Sequence, residues 1–170
     1  MRAVVIERPG PPEDLSIRPI HPPDMRPQDI LVRVEVAGVN PADCKMAAMG
    51  KQAGFVLPLP HVPGRDCVGR IEAMGEEVRG FRIGDRVLGV AERGRWGCHA
   101  ELAALPAAQA CLLPEEIPAR EAAALPTPGL SALACLADAG GIGRGMRVLI
   151  PGPLGGVGRV AMALARQAGA

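Results

Sequence analysis

Tyrosine is absent from the 170 residues, and the aromatics are limited to Trp96, Phe55 and Phe81. Any core must therefore be aliphatic, and no phenol is on hand as an acid. Charge is balanced, with 19 basic against 18 acidic residues and no polybasic stretch, which argues against nucleic acid as a partner. Long apolar runs are missing too. "SALACLADAGG" is too short to span a bilayer, and "MRAVVIERPG" lacks a signal peptide's apolar segment and reads as a strand. The expectation is a cytoplasmic protein without membrane contact. The five cysteines, Cys44, Cys67, Cys98, Cys111 and Cys135, form no C-x-x-C pair. That spacing argues against a disulfide framework and reads as five small buried hydrophobes in a reducing compartment.

What the chain has in quantity is glycine, 22 residues, and proline, 18. They do not gather into a low-complexity tract but punctuate short apolar runs, the pattern of a β-rich fold with many turns. "RAVVIE" is one candidate strand. "ILVRVEVAGV" is a half-buried one, with Ile30, Val32, Val34 and Val36 on one face and Arg33 and Glu35 on the other. "CVGRIEAMG" is a third, and "FRIGDRVLGV" turns at Gly84-Asp85 before sending Val87 and Leu88 into a fourth. "CHAELAAL" and "ACLL" complete the set, which suggests a small barrel or sandwich. A helix over residues 41–49 interrupts it, with Asn40 as N-cap and Pro41 at the first helical position.

After residue 113 the texture changes. "PEEIPAREAAALP" reads as helix, with acids first and alanines after. "TPGLSALACLADAGG" predicts another, capped by Thr127, striped by Leu130, Leu133 and Leu136 and ended by Gly140 and Gly141. Then "RVLI" predicts a strand, "PGPLGGVG" a glycine loop, and Val157 to Ala168 a helix. Strand, glycine loop and helix in that order are the context of a dinucleotide fingerprint. Gly152, Gly155 and Gly158 follow G-x-x-G-x-x-G rather than the literal G-x-G-x-x-G, and Pro153 removes one backbone donor. Glycine is needed there for the sharp turn, for backbone approach to a pyrophosphate and for close helix packing. Only twelve residues follow Gly158, so the ribose-holding side chain expected about 20 residues on is not among them. The helix is accordingly expected to present Val157, Val160, Ala161 and Leu164 to nothing.

These segments resemble, in order, the medium-chain dehydrogenase/reductase superfamily and, within it, the zinc-independent, zeta-crystallin-like quinone oxidoreductases. The residues that carry the likeness are "ILVRVEVAGVNPADCK", "LPHVPGRDCVGRIEAMGEEVRGFRIGDRVLG", "GCHAEL", "AAALPTPGLSALACL" and "GMRVLIPGPLGGVG". The likeness covers nearly the whole chain but reaches only about the first half of a family member. It implies a mainly β fold with α: a GroES-like β-barrel domain over 1–125, then the first βα unit of an incomplete Rossmann fold over 126–170. It also implies a nicotinamide cofactor, NADPH by family tendency with NADH open, and hydride transfer to a quinone or activated enone. By resemblance Gly152, Gly155, Gly156, Val157 and Gly158 hold the pyrophosphate, Asn40 lies near nicotinamide and substrate, and Ser131 replaces a threonine near the nicotinamide amide. Lys45 stands near the place of a tyrosine beside the substrate. The plainer alternatives stay open: Asn40 as a helix cap, Ser131 as an ordinary helix residue, Lys45 as a solvated charge.

Zinc-dependent relatives carry a cysteine where this chain has Asn40 and a histidine where it has Arg65. Arginine stays protonated and cannot ligate, and the four-cysteine structural lobe is missing, so no zinc is expected. Cys98 and His99 are strand neighbours pointing to opposite faces, a poor chelate. His99 reads as packing, and His21 and His61 lack ligand spacing. Three readings of the whole remain: the N-terminal part of a longer oxidoreductase, a complete non-catalytic GroES-like module, or one half of a split enzyme. The protein partners expected are a missing C-terminal half or a homodimer partner. In each case the isolated chain is expected not to oxidise NADPH with a quinone at a meaningful rate.

Overall fold

The computed structural model describes residues 1–49 and 58–170; Gly50 and Phe55 lie outside the described residues. Its contacts divide into two units, Met1–Ala124 and Leu125–Ala170.

The first unit is built on strands β1 (Arg2–Val5), β2 (Ser16–Pro19), β3 (Asp29–Ala37), β4 (Asp66–Met74), β5 (Arg86–Val90), β6 (Leu102–Pro106) and β7 (Ala110–Leu112). Five of them form one antiparallel sheet in the order β6-β3-β4-β5-β7. β1 and β2 pair separately, tied onward by bridges from Ala3 to Ala100 and from Ile6 to His61. Helix α1 (Pro41–Met49) follows β3, and the one-turn helix α2 (Ala119–Ala123) ends the unit.

The core is aliphatic, as the missing aromatics require. Ile30, Val32, Ile71, Val87 and Leu105 are buried in one cluster. The expected single apolar face of β3 does not run its full length. A register shift between Val34 and Val36 breaks it, so Val34 packs on the main core while Val36 joins Val68, Leu113 and Ala122 in another. Gly69 lies opposite Val34, and a Cβ there would stand 2.1 Å from the Arg33 carbonyl oxygen, so the strands can close only on glycine.

Three further expectations are corrected. β2 was not foreseen: its Ile17 is 73% exposed, so no apolar pattern marks it, and pairing with β1 creates it. Residues 114–118 are not helical, because Arg86 draws the carbonyls of Pro114 and Ile117 onto its guanidinium at 2.9 Å each. Of the cysteines only Cys67 and Cys98 are buried; Cys44, Cys111 and Cys135 are exposed.

His61 is buried, with backbone bonds to Ile6 in both directions and no partner for Nδ1. Burial pulls its pKa down to about 4. The unfolded chain takes up a proton near pH 6.5 while the folded one refuses it, so stability present above pH 6.5 is lost as pH falls toward 4. The expected loss over that window is about 3 kcal/mol. Urea unfolding at pH 7 and pH 4.5 should show His61→Gln losing less between the two than the parent chain.

The second unit holds α3 (Pro126–Asp138) and α4 (Gly156–Gln167). α3 starts at Pro126, so Thr127 lies inside it rather than capping it. It ends on the two foreseen glycines: Gly140, at φ +94°, bonds Ala137, and Gly141 bonds Leu136, closing the last turn. α4 ends the same way through Gly169 and Ala170, bonded to Arg166 and Ala165. The foreseen strand "RVLI" does not form: residues 146–150 join no ladder, since no strand of this unit lies beside them. Leu149 is 91% exposed in consequence. α4 is not bare either, for Ala161 and Ala165 are buried and the helix packs on α3.

Candidate functional site

The glycine loop begins with Gly152 at φ +70°, where a side chain would be strained. The Gly155 N–H closes a turn onto the Gly152 carbonyl at 3.2 Å, and Gly155 becomes the N-cap of α4. The first intrahelical bond runs from the Arg159 N–H to the Gly155 carbonyl at 2.9 Å. The N–H groups of Gly156, Val157 and Gly158 thus open the helix, and no side chain caps them. Together with the helix dipole they form an anion-favouring terminus.

The glycines differ in what they do. A Cβ on Gly158 would lie 2.3 Å from the Gly152 carbonyl oxygen and 2.9 Å from Pro153 Cα, so this glycine lets loop and helix touch. A Cβ on Gly156 would crowd Pro128 of α3 at 3.2 Å, so it sets helix against helix. Gly155 has only an ordinary contact at 3.6 Å and is exposed, as are Gly156 and Val157. Arg159, in the first turn of α4, donates from Nε to the Leu154 carbonyl at 3.0 Å, which holds its cation on the loop. A cation at a helix N-terminus is unfavourable for the helix alone and favourable for a bound anion. The loop therefore fits a pyrophosphate. Ser131, half-buried on α3, spends its hydroxyl proton on the Thr127 carbonyl at 2.7 Å and keeps only acceptor capacity.

In the first unit the segment Gly38–Asn40 is held at both ends. The Gly38 N–H donates to the Asp66 carbonyl at 2.9 Å. His99 Nε2 meets the Gly38 carbonyl at 3.0 Å, so that nitrogen carries the proton. A Cβ on Gly38 would stand 2.6 Å from the Ala123 carbonyl oxygen. The Asn40 N–H donates to Asp43 Oδ2 at 2.8 Å, the reciprocal half of a capping box, and Asn40 Nδ2 donates to Asp66 Oδ2 at 3.0 Å. Asn40, Asp43 and Asp66 are all buried, whereas Lys45 on α1 is exposed. The structure thus joins Asn40 to two carboxylates that sequence reasoning missed. Asp43, three residues past the cap, carried a signal; Asp66, 26 residues away, carried none.

The donor set where relatives hold zinc does not fit a metal. Asn40 is turned toward Asp66, and Arg65 is a permanent cation whose buried Nε has no partner. Hydrogen bonding with Cys67, and then burial, hold the Cys98 thiol well above its usual range, so it stays protonated, bonded to the Arg65 carbonyl at 3.4 Å. Among the described residues no three His, Cys, Asp or Glu side chains are grouped so as to hold a metal ion, and no helix is long and apolar enough to cross a membrane.

Residues 26–115, more than half the chain, match the family model for the alcohol dehydrogenase GroES-like domain. The chain is 37% identical over 154 residues to the synaptic vesicle membrane protein VAT-1 homolog of Rattus norvegicus, covering 89% of this chain and 36% of that protein. It is 32% identical over 170 residues to the quinone oxidoreductase of Sus scrofa, covering 99% of this chain and 50% of that one. Among solved structures, an alcohol dehydrogenase superfamily protein from Novosphingobium aromaticivorans superposes with a TM-score of 0.89 at 35% identity, covering 99% of this chain and 51% of that one. The chain therefore spans about half or less of these relatives' length.

Proposed function

The chain belongs to the alcohol dehydrogenase GroES-like family of the medium-chain dehydrogenases/reductases, and from that premise we propose that it contributes the substrate-side domain and the pyrophosphate loop of an NADPH-dependent oxidoreductase acting on a quinone or activated enone. In this reading residues 1–125 are the catalytic domain and 126–170 the start of the nucleotide-binding one. The bound cofactor supplies the hydride, delivered to a carbon conjugated with a carbonyl. Gly152 and Gly155 shape the loop, and the N–H groups of Gly156, Val157 and Gly158 bind the pyrophosphate. Asn40 orients the reacting groups, Ser131 offers its oxygen to an amide, and Lys45 brings a positive charge near the substrate carbonyl. No step calls on a metal.

The observation that carries the reading is the pairing of an uncapped helix start with a glycine, Gly158, that closes the loop onto it. Nicotinamide fluorescence during titration of NADPH with the 170-residue chain tests it. A saturable change, reversed by inorganic pyrophosphate, is expected; no change, or a change that pyrophosphate leaves intact, would overturn it.

The reading in which a further polypeptide completes the second unit has its own support. Leu130, Leu133 and Met146 are each about half exposed, and a groove of roughly 390 Å³ runs along Leu133, Leu136, Ile142 and Leu164. An apolar dye that reports such surface should bind this unit, and Leu133→Glu should reduce that binding without unfolding the chain.

A further inference from the structure

Asn40 has one carboxamide with two ends, and the ends are not equivalent here. An ionised carboxylate only accepts hydrogen bonds, so Asp66 Oδ2 at 3.0 Å fixes the amide with Nδ2 toward the carboxylate. Oδ1 then faces the other way, and it finds no hydrogen-bond partner among the described residues, nor is it among the buried polar atoms left unsatisfied. The main chain cannot swing to undo this. Asp43 holds the Asn40 N–H, Asp66 and His99 hold both polar groups of Gly38, and Gly38 has no room for a side chain against Ala123.

We propose that Asp66 is a positioning residue that sets Asn40 as a hydrogen-bond acceptor, so that this part of the site takes a ligand group donating N–H or O–H, such as a carboxamide or a hydroxyl. A bare ester or carbonyl at the same place meets Oδ1 oxygen to oxygen and is disfavoured. The ligand half of the inference rests on the oxidoreductase reading; the orientation of the amide does not.

Two measurements on the full 170-residue chain separate these halves. The first is NMR of the Asn40 side-chain amide without ligand. One Hδ2 proton should be shifted downfield and slowed in exchange, and Asp66→Ala, which removes the acceptor, should abolish that signature. Equivalent, fast-exchanging Hδ2 protons in the parent chain would overturn the positioning role whatever binds. The second compares nicotinamide, which donates from its carboxamide, with methyl nicotinate, which cannot. The parent chain should favour nicotinamide by about fivefold, the worth of one hydrogen bond. In Asp66→Asn the pair can reverse, since the carboxamide introduced on β4 can donate from its nitrogen to Asn40 Oδ1, and the preference should vanish or invert. A merely structural role would weaken both probes together, and an unchanged ratio contradicts the proposal. If neither probe binds while the Hδ2 signature is present, the positioning stands and the ligand assignment, with the reading beneath it, falls.

Discussion

Gly158→Ala is expected to loosen the start of α4 and to cost the chain tenfold or more in affinity for NADPH, an effect of about 1.4 kcal/mol or larger. In an ordinary helix interior the same change stabilises by about 1 kcal/mol. Here the new methyl would stand 2.3 Å from the Gly152 carbonyl oxygen and 2.9 Å from Pro153 Cα. Both are backbone, with no rotamer to move aside, so loop and helix must part. Overpacking of this kind costs about 1–3 kcal/mol, which outweighs the propensity gain. The separation moves the uncapped N–H groups of Gly156 and Val157 off a common focus. Gly155→Ala is the control: its nearest contact is 3.6 Å, so helix stability should fall by only about 0.5 kcal/mol through the weaker N-cap. Hydrogen exchange in α4 reads the first effect and NADPH titration the second. Equal exchange rates in Gly158→Ala and the parent chain would contradict the steric account.

Asp29→Ala is expected to be among the most damaging single changes in the first unit, at about 4 kcal/mol. Asp29 is fully buried at the start of β3. Its Oδ2 accepts from Arg95 Nη2 at 2.7 Å and from the Arg26 N–H at 2.8 Å. The Arg95 side chain is only 16% exposed, and its bond to Asp29 holds the guanidinium above its ordinary range. Removing the carboxylate leaves a shielded cation with Glu92, 3.5 Å from Nη1, as its remaining ion pair, and leaves the Arg26 N–H unpaired. Breaking such a pair costs more than never having built it. The double variant Asp29→Ala, Arg95→Met should therefore be more stable than Asp29→Ala alone. Urea denaturation of the parent chain and the two variants checks this, and a double variant that is the least stable contradicts it.

The parts legible in the sequence were those where the chain's own pattern decides the structure. β3 announces itself through its alternating β-branched residues, and the end of α3 through glycines that alone tolerate their dihedrals. Where structure depends on a distant partner, the pattern misled or was silent. "RVLI" has a strand's composition, but a ladder needs a neighbour, and none of the described strands pairs with it. "SIRP" has no strand composition, yet β1 supplies the ladder and the Met1 ammonium anchors its far end to the Ile20 carbonyl at 2.8 Å. The register shift at Val34/Val36 is invisible in alternating valines because it answers to Gly69 on the next strand. The candidate site divides in the same way. Gly152 and Gly158 could be read because each has a local geometric need, a positive φ at one and a close backbone approach at the other, whereas the tie between Asn40 and Asp66 joins residues that only the β3–β4 pairing brings together.

In the proposed function the turn from Gly152 into α4 is a pyrophosphate cradle. It is tested most directly by following the backbone amides of the ¹⁵N-labelled 170-residue chain during titration with NADPH. Saturable shifts concentrated at Gly155, Gly156, Val157 and Gly158 are expected, reproduced in part by inorganic pyrophosphate alone. Saturation with those four amides unmoved would contradict it.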